Sequence, residues 1–353
     1  MPAELRVIAL AMMLAGCSSS VPGPDAKMQG PPQPEQRFGN DPELVADFAA
    51  LKTCAYRNGR LDYSCKQLKT LVRRIGVKSL KPDIRKKVVT TLANLLESRR
   101  ELTRLVAADN VFLHQQDPQL VKALRAALLI EKAPTVKATL LRQSCWRATG
   151  WARKRALDLL GPGEHEVVQA EAAICLGRFG GETGAAREVL VKALLAAIAP
   201  RRSARVRGNA CAALGSLKAE QAVEPMAALL DDPTVDWRCA SALAQVGSKA
   251  AFQRLRQGVT AALARERMPG QHVLALTSFS EQPFFDRPAI LQLLQQIAVR
   301  RSLSWIARTR AVAELSRLGG KAQLRAVRVL YATKQRSEGD DQVLRELKRH
   351  LGQ

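Results

Sequence analysis

The chain has 353 residues, with 55 Lys and Arg against 32 Asp and Glu, for a formal net charge of +23. Aromatic residues supply only 4% of it, Ala and Leu dominate, and no stretch alternates β-branched with polar side chains, which excludes a sheet-based fold and leaves an all-α one. A cytosolic chain this basic would suggest nucleic acid and an exported one would not, so the amino terminus decides how the charge is read.

Residues Val7 to Ala15 are almost wholly apolar, preceded by Arg6 and closed by the small Ala15 and Gly16. The run is about half of the roughly 20 residues that a membrane-spanning helix needs, as in a short export signal. Leu14, Ala15, Gly16 and Cys17 resemble the lipobox of bacterial lipoproteins. That resemblance implies removal of residues 1–16, acylation of Cys17, and, with Ser18 following it, an outer-membrane anchor facing the periplasm. Several acyl chains hold stably where one binds only marginally. Residues 17–40 are rich in Pro, Gly and polar side chains and read as a flexible tether. The signal contains one acid, Glu4, and one base, Arg6, so the full positive charge stays with the mature chain.

Residues 41–78 read as a helical hairpin that caps the first repeat, turning at Asn58 and Gly59. Cys54 and Cys65 are nearly equidistant from that turn and are expected to form a disulfide, which an oxidising periplasm permits. A loop of that size is worth roughly 3 kcal/mol in the chain-entropy model.

Residues 79–353 carry a repeat. Prolines recur at Pro82, Pro118, Pro162, Pro200, Pro233 and Pro269, about 33 to 44 residues apart, the period of a solenoid of helix pairs. The segments starting at Val167, Arg205, Thr234 and Ile306 superpose with Leu176, Leu214, Leu243 and Leu315 in one column, and with Ala172, Ala210, Cys239 and Ala311 four positions earlier. Each helix thus presents a narrow apolar stripe. The segment Val206–Pro233 resembles the HEAT repeat of the phycobilisome-lyase type through Arg207, Leu214, Gly215, Leu229, Leu230, Asp232 and Pro233. The resemblance implies an α-solenoid of HEAT-like pairs, in which Gly215 permits a left-handed helix end and Asp-Pro separates repeats. Cys145, Cys175, Cys211 and Cys239 sit in similar helices and are expected as buried thiols, their pairing left open; no CxxC or nearby His supports a metal. Residues 340–353 read as the polar terminal cap of the stack.

No catalytic constellation emerges. The four histidines are scattered, the glycine-rich "GGETGAA" and "LGGKA" are not P-loops, and "EGDD" has too few oxygen ligands for a calcium loop. No cofactor or small-molecule substrate is inferred, and the chain is expected not to be an enzyme. What remains is charge: Arg201, Arg202, Arg205 and Arg207 form one cluster, Arg147, Arg153, Lys154 and Arg155 another, and Arg300, Arg301, Arg308 and Arg310 a third, with Trp146, Trp151, Trp237 and Trp305 each close to an Arg. In HEAT solenoids such positions open the helices lining the concave side. The expected partner-binding residues are therefore Arg201, Arg202, Arg205, Arg207, Trp237, Arg238, Arg308 and Arg310, holding an acidic protein or other anionic envelope component. The bland alternative is a solvated basic face with some arginines bonding between repeats. The expectation is a membrane-tethered interaction scaffold; the alternatives are a nucleic-acid-binding or base-repair HEAT protein, which export disfavours, and a bilin-lyase-like enzyme, for which no nucleophile can be named.

Overall fold

The computed structural model describes residues 82–111, 116–147, 149–267, 270–332 and 339–352, with scattered positions between 46 and 70. Cys17, the tether, Cys54 and Cys65 lie outside the described residues. Within the expected cap, β1 (Tyr56–Arg57) pairs antiparallel with β2 (Arg60–Leu61), bracketing Asn58 and Gly59. The chain therefore reverses where the sequence places the turn, through a two-residue strand pair, and the described positions 46, 50, 66, 69 and 70 on either side of it are helical. Asn-Gly is the residue pair that the tight hairpin turn demands, because both central positions of that turn take a positive φ.

The other described elements are helices, joined by turns and short loops, and the chain falls into two compact units, Met1–Val136 and Lys137–Gln353. In the first, α1 (Pro82–Leu95) packs against α2 (Glu101–Asn110) and α3 (Pro118–Ile130). Their shared core contains Leu92, Val106, Leu120 and Leu128, all fully buried. Pro118 opens α3 because its missing N–H is no loss in a first turn, and Asp117 caps the next free donor, accepting from the Gln119 N–H at 2.9 Å.

The boundary between the units falls in the first turn of α4 (Pro134–Cys145). The second unit continues with α5 (Gly150–Leu159), α6 (Glu166–Leu176), α7 (Gly184–Ala197), α8 (Ala204–Ser216), the short α9 (Val223–Ala227) and α10 (Asp236–Val246). It ends with α11 (Lys249–Ala264), α12 (Gly270–Thr277), α13 (Arg287–Val299), α14 (Trp305–Arg317), α15 (Lys321–Ala332) and α16 (Asp340–Leu351). The even-numbered helices from α6 to α16 pack each on the next, while α9 packs on α11 and α13 on α15. These two layers make the unit an α-solenoid of helix pairs.

The repeat register is visible in its core. Leu176, Leu214, Leu243 and Leu315 are all 0% exposed, as are Ala172, Ala210, Cys239 and Ala311. Small residues in that second column let neighbouring even helices approach closely. Gly215 serves the same end, which revises its expected role: a Cβ there would stand 2.7 Å from the Ala242 Cα of α10. The left-handed residue after α8 is Lys218, at φ 50°. In α10, Ala244 stands in the Gly215 column and the helix ends instead on Gly247, at φ 75°.

Close approach also changes the reading of the cysteines. Instead of buried thiols, Cys145 of α4 is bonded to Cys175 of α6, with Cα atoms 5.5 Å apart. Cys211 of α8 is bonded to Cys239 of α10, at 5.2 Å. A separation of one repeat puts each pair on facing helices of one layer, and the small-residue columns bring those backbones within disulfide range. Chain entropy assigns the 28-residue separation of Cys211 and Cys239 about 3 to 4 kcal/mol. Peptide mapping without reduction should recover both linked pairs, and Cys211→Ser with Cys239→Ser should lower the melting temperature of the oxidised protein by several degrees. Four alkylatable thiols in protein from an oxidising compartment would contradict these bonds.

Candidate interaction surface

Four bases occupy the same place in their helices. Arg104, Lys137, Arg207 and Arg308 are each the fourth residue of α2, α4, α8 and α14. Each reaches an acid about one repeat later. Arg104 grips Glu131 with two hydrogen bonds of 2.6 and 3.0 Å, and Lys137 meets Glu164 at 3.0 Å. Arg207 donates to the Asp232 Oδ2 at 2.6 Å, and Arg308 to the Asp340 Oδ1 at 2.5 Å. Burial by itself would raise the Glu131 carboxyl, but Arg104 and the backbone N–H groups of Ala133 and Lys132 hold it below the usual range. The Thr234 hydroxyl and N–H, with Arg207 behind them, pull the Asp232 carboxyl down to about 2.

The third position in this series, Gln169 of α6, is neutral and does the same work with hydrogen bonds. Its Nε2 donates to the carbonyls of Gly161 at 3.0 Å and Glu164 at 2.6 Å, and its Oε1 accepts from Arg202 at 2.9 Å. In the repeat alignment the same column, seven residues before Leu243, holds Asp236, the first residue of α10, whose carboxylate lies 4.0 Å from the buried His272. Burial holds that imidazole below the usual histidine range in spite of Asp236.

The residues expected to bind a partner are therefore divided. Arg308 is 2% exposed and cannot reach a partner; besides Asp340 it donates to the Tyr331 hydroxyl at 3.0 Å. Arg207 and Arg202 are spent between repeats, and Arg238 donates to the Asn209 Oδ1 of the preceding even helix while its guanidinium covers half-buried Trp237 at 4.9 Å. Arg201, Arg205 and Arg310 are exposed. In the other clusters Arg153 pairs with Glu182 and Arg300 with Glu266, at 2.5 and 3.2 Å, again one repeat away.

The carboxyl-terminal ends of α4 and α6 meet at Trp146 and Arg178. Trp146 is 56% exposed with the Arg178 guanidinium 4.2 Å over its ring, and Ile174, one helical turn before Arg178, is 38% exposed. Glu171 shares this face of α6, being three residues before Ile174. Burial raises its carboxyl, while the positive charges of Arg142, Arg178 and Arg205 act in the opposite direction. The sequence reading missed Arg142, Glu171, Ile174 and Arg178 because Arg142 is 29 residues before Glu171 and none of them belongs to a basic run. The repeat alignment carried a signal: Glu171 is the acidic member of a column whose later members are Asn209, Arg238 and Arg310. Among the described residues no group of His, Cys, Asp or Glu is placed to hold a metal ion, and no helix is long and apolar enough to cross a membrane.

The pattern of HEAT repeats matches residues 191–275. No curated protein sequence matches the chain. Among solved structures, importin beta superposes with a TM-score of 0.51 at 12% identity, covering 88% of this chain and 49% of that one, and this likeness concerns the fold. The complex of CpcE and CpcF of phycocyanin lyase from Nostoc sp. PCC7120 aligns over 77% of this chain and 95% of that one at 17% identity, with a TM-score of 0.39. An engineered protein aligns over 74% of this chain and 98% of its own at 18% identity, with a TM-score of 0.27.

Two predictions test the charge pairs. Asp340→Asn leaves Arg308 buried without its counter-charge, so it should cost about 3 to 5 kcal/mol and free α16 first. Hydrogen exchange should then rise in α16 before α8, and uniform protection would contradict it. Because the folded-state pKa of Asp232 is depressed, its stabilisation is present above the unfolded carboxylate value and is lost as pH falls through about 2. Asp232→Asn should therefore flatten the loss of stability between roughly pH 4 and 2, measured by urea unfolding at stepped pH. A variant that loses stability there as steeply as the wild type would rule the pair out as the acid-sensitive contact.

Proposed function

We propose that the chain is an exported scaffold, acylated at Cys17, tethered by residues 17–40 to the periplasmic face of the outer membrane, and presenting its solenoid to an acidic partner. A helix-pair solenoid fits a protein-interaction role, since stacked repeats expose extended surfaces while burying a continuous core. The observation that carries the export reading is the pair of inter-repeat disulfides, Cys145–Cys175 and Cys211–Cys239. Such bonds persist in an oxidising compartment and are rare in a reducing cytosol. They agree with the Leu14-Ala15-Gly16-Cys17 signal, which stands at the other end of the argument and rests on no structural contact.

The charge supports an anionic partner. With carboxylates engaged between repeats, the surplus of 55 bases over 32 acids falls on solvent-facing positions such as Arg201, Arg205 and Arg310. Arginine forks suit carboxylates, and export separates this surface from chromosomal DNA. No reaction is assigned, because a repeat fold carries none without a site built upon it.

Cys17→Ser should leave a folded but uncleaved chain that no longer enters the detergent phase, whereas the wild type should partition there with an acylated Cys17 at its amino terminus. Unchanged processing and partition in the variant would end the lipoprotein reading.

A further inference from the structure

Building on the acidic-partner reading, we infer that the outer face of α15 is the seat of that partner, and that it takes an amphipathic helix whose apolar stripe is flanked by carboxylates. The sequence KAQLRAVRVLYA divides α15 into three rows. Leu324, Val327 and Tyr331 are buried, and the Tyr331 hydroxyl reaches the Ala298 carbonyl of α13 at 2.7 Å. On the opposite side Ala322, Ala326 and Val329 recur at i, i+4 and i+7 with Leu330 at their border, and Val329 and Leu330 are 61% and 42% exposed. Beside that apolar row Lys321, Arg325 and Arg328 repeat the same spacing, all three exposed, and α15 contains no acid. A helix that only met water would not need an apolar row there.

What α15 lacks is the acid that other bases of its layer find. Arg254 of α11 donates to Glu224 of α9 at 2.6 Å, and Arg265, just after α11, to Asp231 at 2.7 Å. Arg256 of α11 lies 4.0 Å from Asp286, which caps α13. Those acids stand on neighbouring members of the layer or in the turns beside them. The layer neighbour of α15 is α13, which has no acid and exposes Gln292 and Gln296. Acids of the other helices packed on α15 are already engaged: Glu314 of α14 by Arg317 at 2.7 Å, Asp340 of α16 by Arg308, and Glu346 of α16 by His350 at 2.8 Å. Lys321, Arg325 and Arg328 therefore meet no carboxylate among the described residues. A helix lying in the next place of the layer supplies that carboxylate and covers the apolar row.

The apolar row favours a helix over a lipid surface. Ala322 and Ala326 let a second helix approach closely, which a bilayer does not require, and α15 exposes no aromatic side chain to seat among headgroups. A second copy of this chain would bring another +23 of charge and be repelled.

The division into rows gives the inference a distinctive test. Full-length processed protein would be titrated with a fluorescein-labelled peptide carrying Leu and Ala on one helical face and Glu on its flanks. Binding is read by anisotropy and by the helical circular dichroism gained on mixing. A scrambled peptide of the same composition keeps the charge and loses the stripe, so it should bind roughly tenfold more weakly. Arg325→Gln with Arg328→Gln should weaken the patterned peptide by roughly tenfold. Ala322→Gln places a longer side chain in the seam at an exposed position that tolerates a good helix former, and should weaken binding several-fold with melting unchanged. Arg254→Gln, which breaks the exposed pair with Glu224 elsewhere in the layer, should leave affinity unchanged. Circular dichroism melting of each variant identifies any that fail to fold, and Arg325→Gln alone provides a milder version of the same test. If patterned and scrambled peptides bind equally, or if the α15 variants bind the patterned peptide as well as the wild type does, the inference falls while the acidic-partner reading stands. If the wild type binds neither peptide, both fail, and binding of phosphatidylglycerol vesicles through Arg325 and Arg328 would then assign the face to a lipid surface.

Discussion

A base in the first turn of one helix must find an acid about one repeat later, and the stack depends on that contact. Four helices meet the requirement through Arg104, Lys137, Arg207 and Arg308, whose acids are 25 to 32 residues away in sequence. Each contact ties an early helix to the segment that begins the following pair, so local geometry becomes register between repeats. Its strength varies with burial. Arg207 and Asp232 retain 12% and 27% side-chain exposure, while Arg308 and Asp340 retain 2% and 0%. The first is a modest stabiliser; the second is an ion pair whose halves are each costly without the other.

This arrangement explains why so basic a chain stacks at all. Positive charge is neutralised where repeats meet, and the surplus is directed outwards, where water screens it. The interior between the helix layers is left to Leu and Ala columns, with Gly215 permitting the tightest approach. That same closeness brings Cys145 to Cys175 and Cys211 to Cys239. The even layer is thereby cross-linked at two of its junctions, a constraint on the unfolded chain that supplements modest side-chain volumes in the core.

Function follows from what the stack leaves unused. Among the arginines singled out by clustering, Arg202, Arg207 and Arg308 bond between repeats and are part of the scaffold, while Arg201, Arg205 and Arg310 are exposed. The proposed acidic partner would meet that exposed charge. The fold likeness to importin beta leaves that choice open, since one solenoid architecture serves many surfaces.

Composition, the recurring prolines and the Leu176, Leu214, Leu243 and Leu315 column determined the helix-pair solenoid from sequence, because stripe and period are local properties of a helix that survive without knowledge of its neighbours. The Asn58-Gly59 reversal was legible for the same reason, although the short strand pair at its base was not. Only the tertiary structure decided that Arg308 is interior and Arg205 exposed, although both stand in arginine-rich runs. Sequence proximity to other arginines says nothing of which side of a helix meets an acid one repeat away. The disulfides and the stacking of Arg178 on Trp146 were hidden likewise: their members come from successive helices of one layer or the turns that end them, and whether such residues touch depends on how closely the backbones approach and in what register. Those two quantities are set by packing across the whole stack.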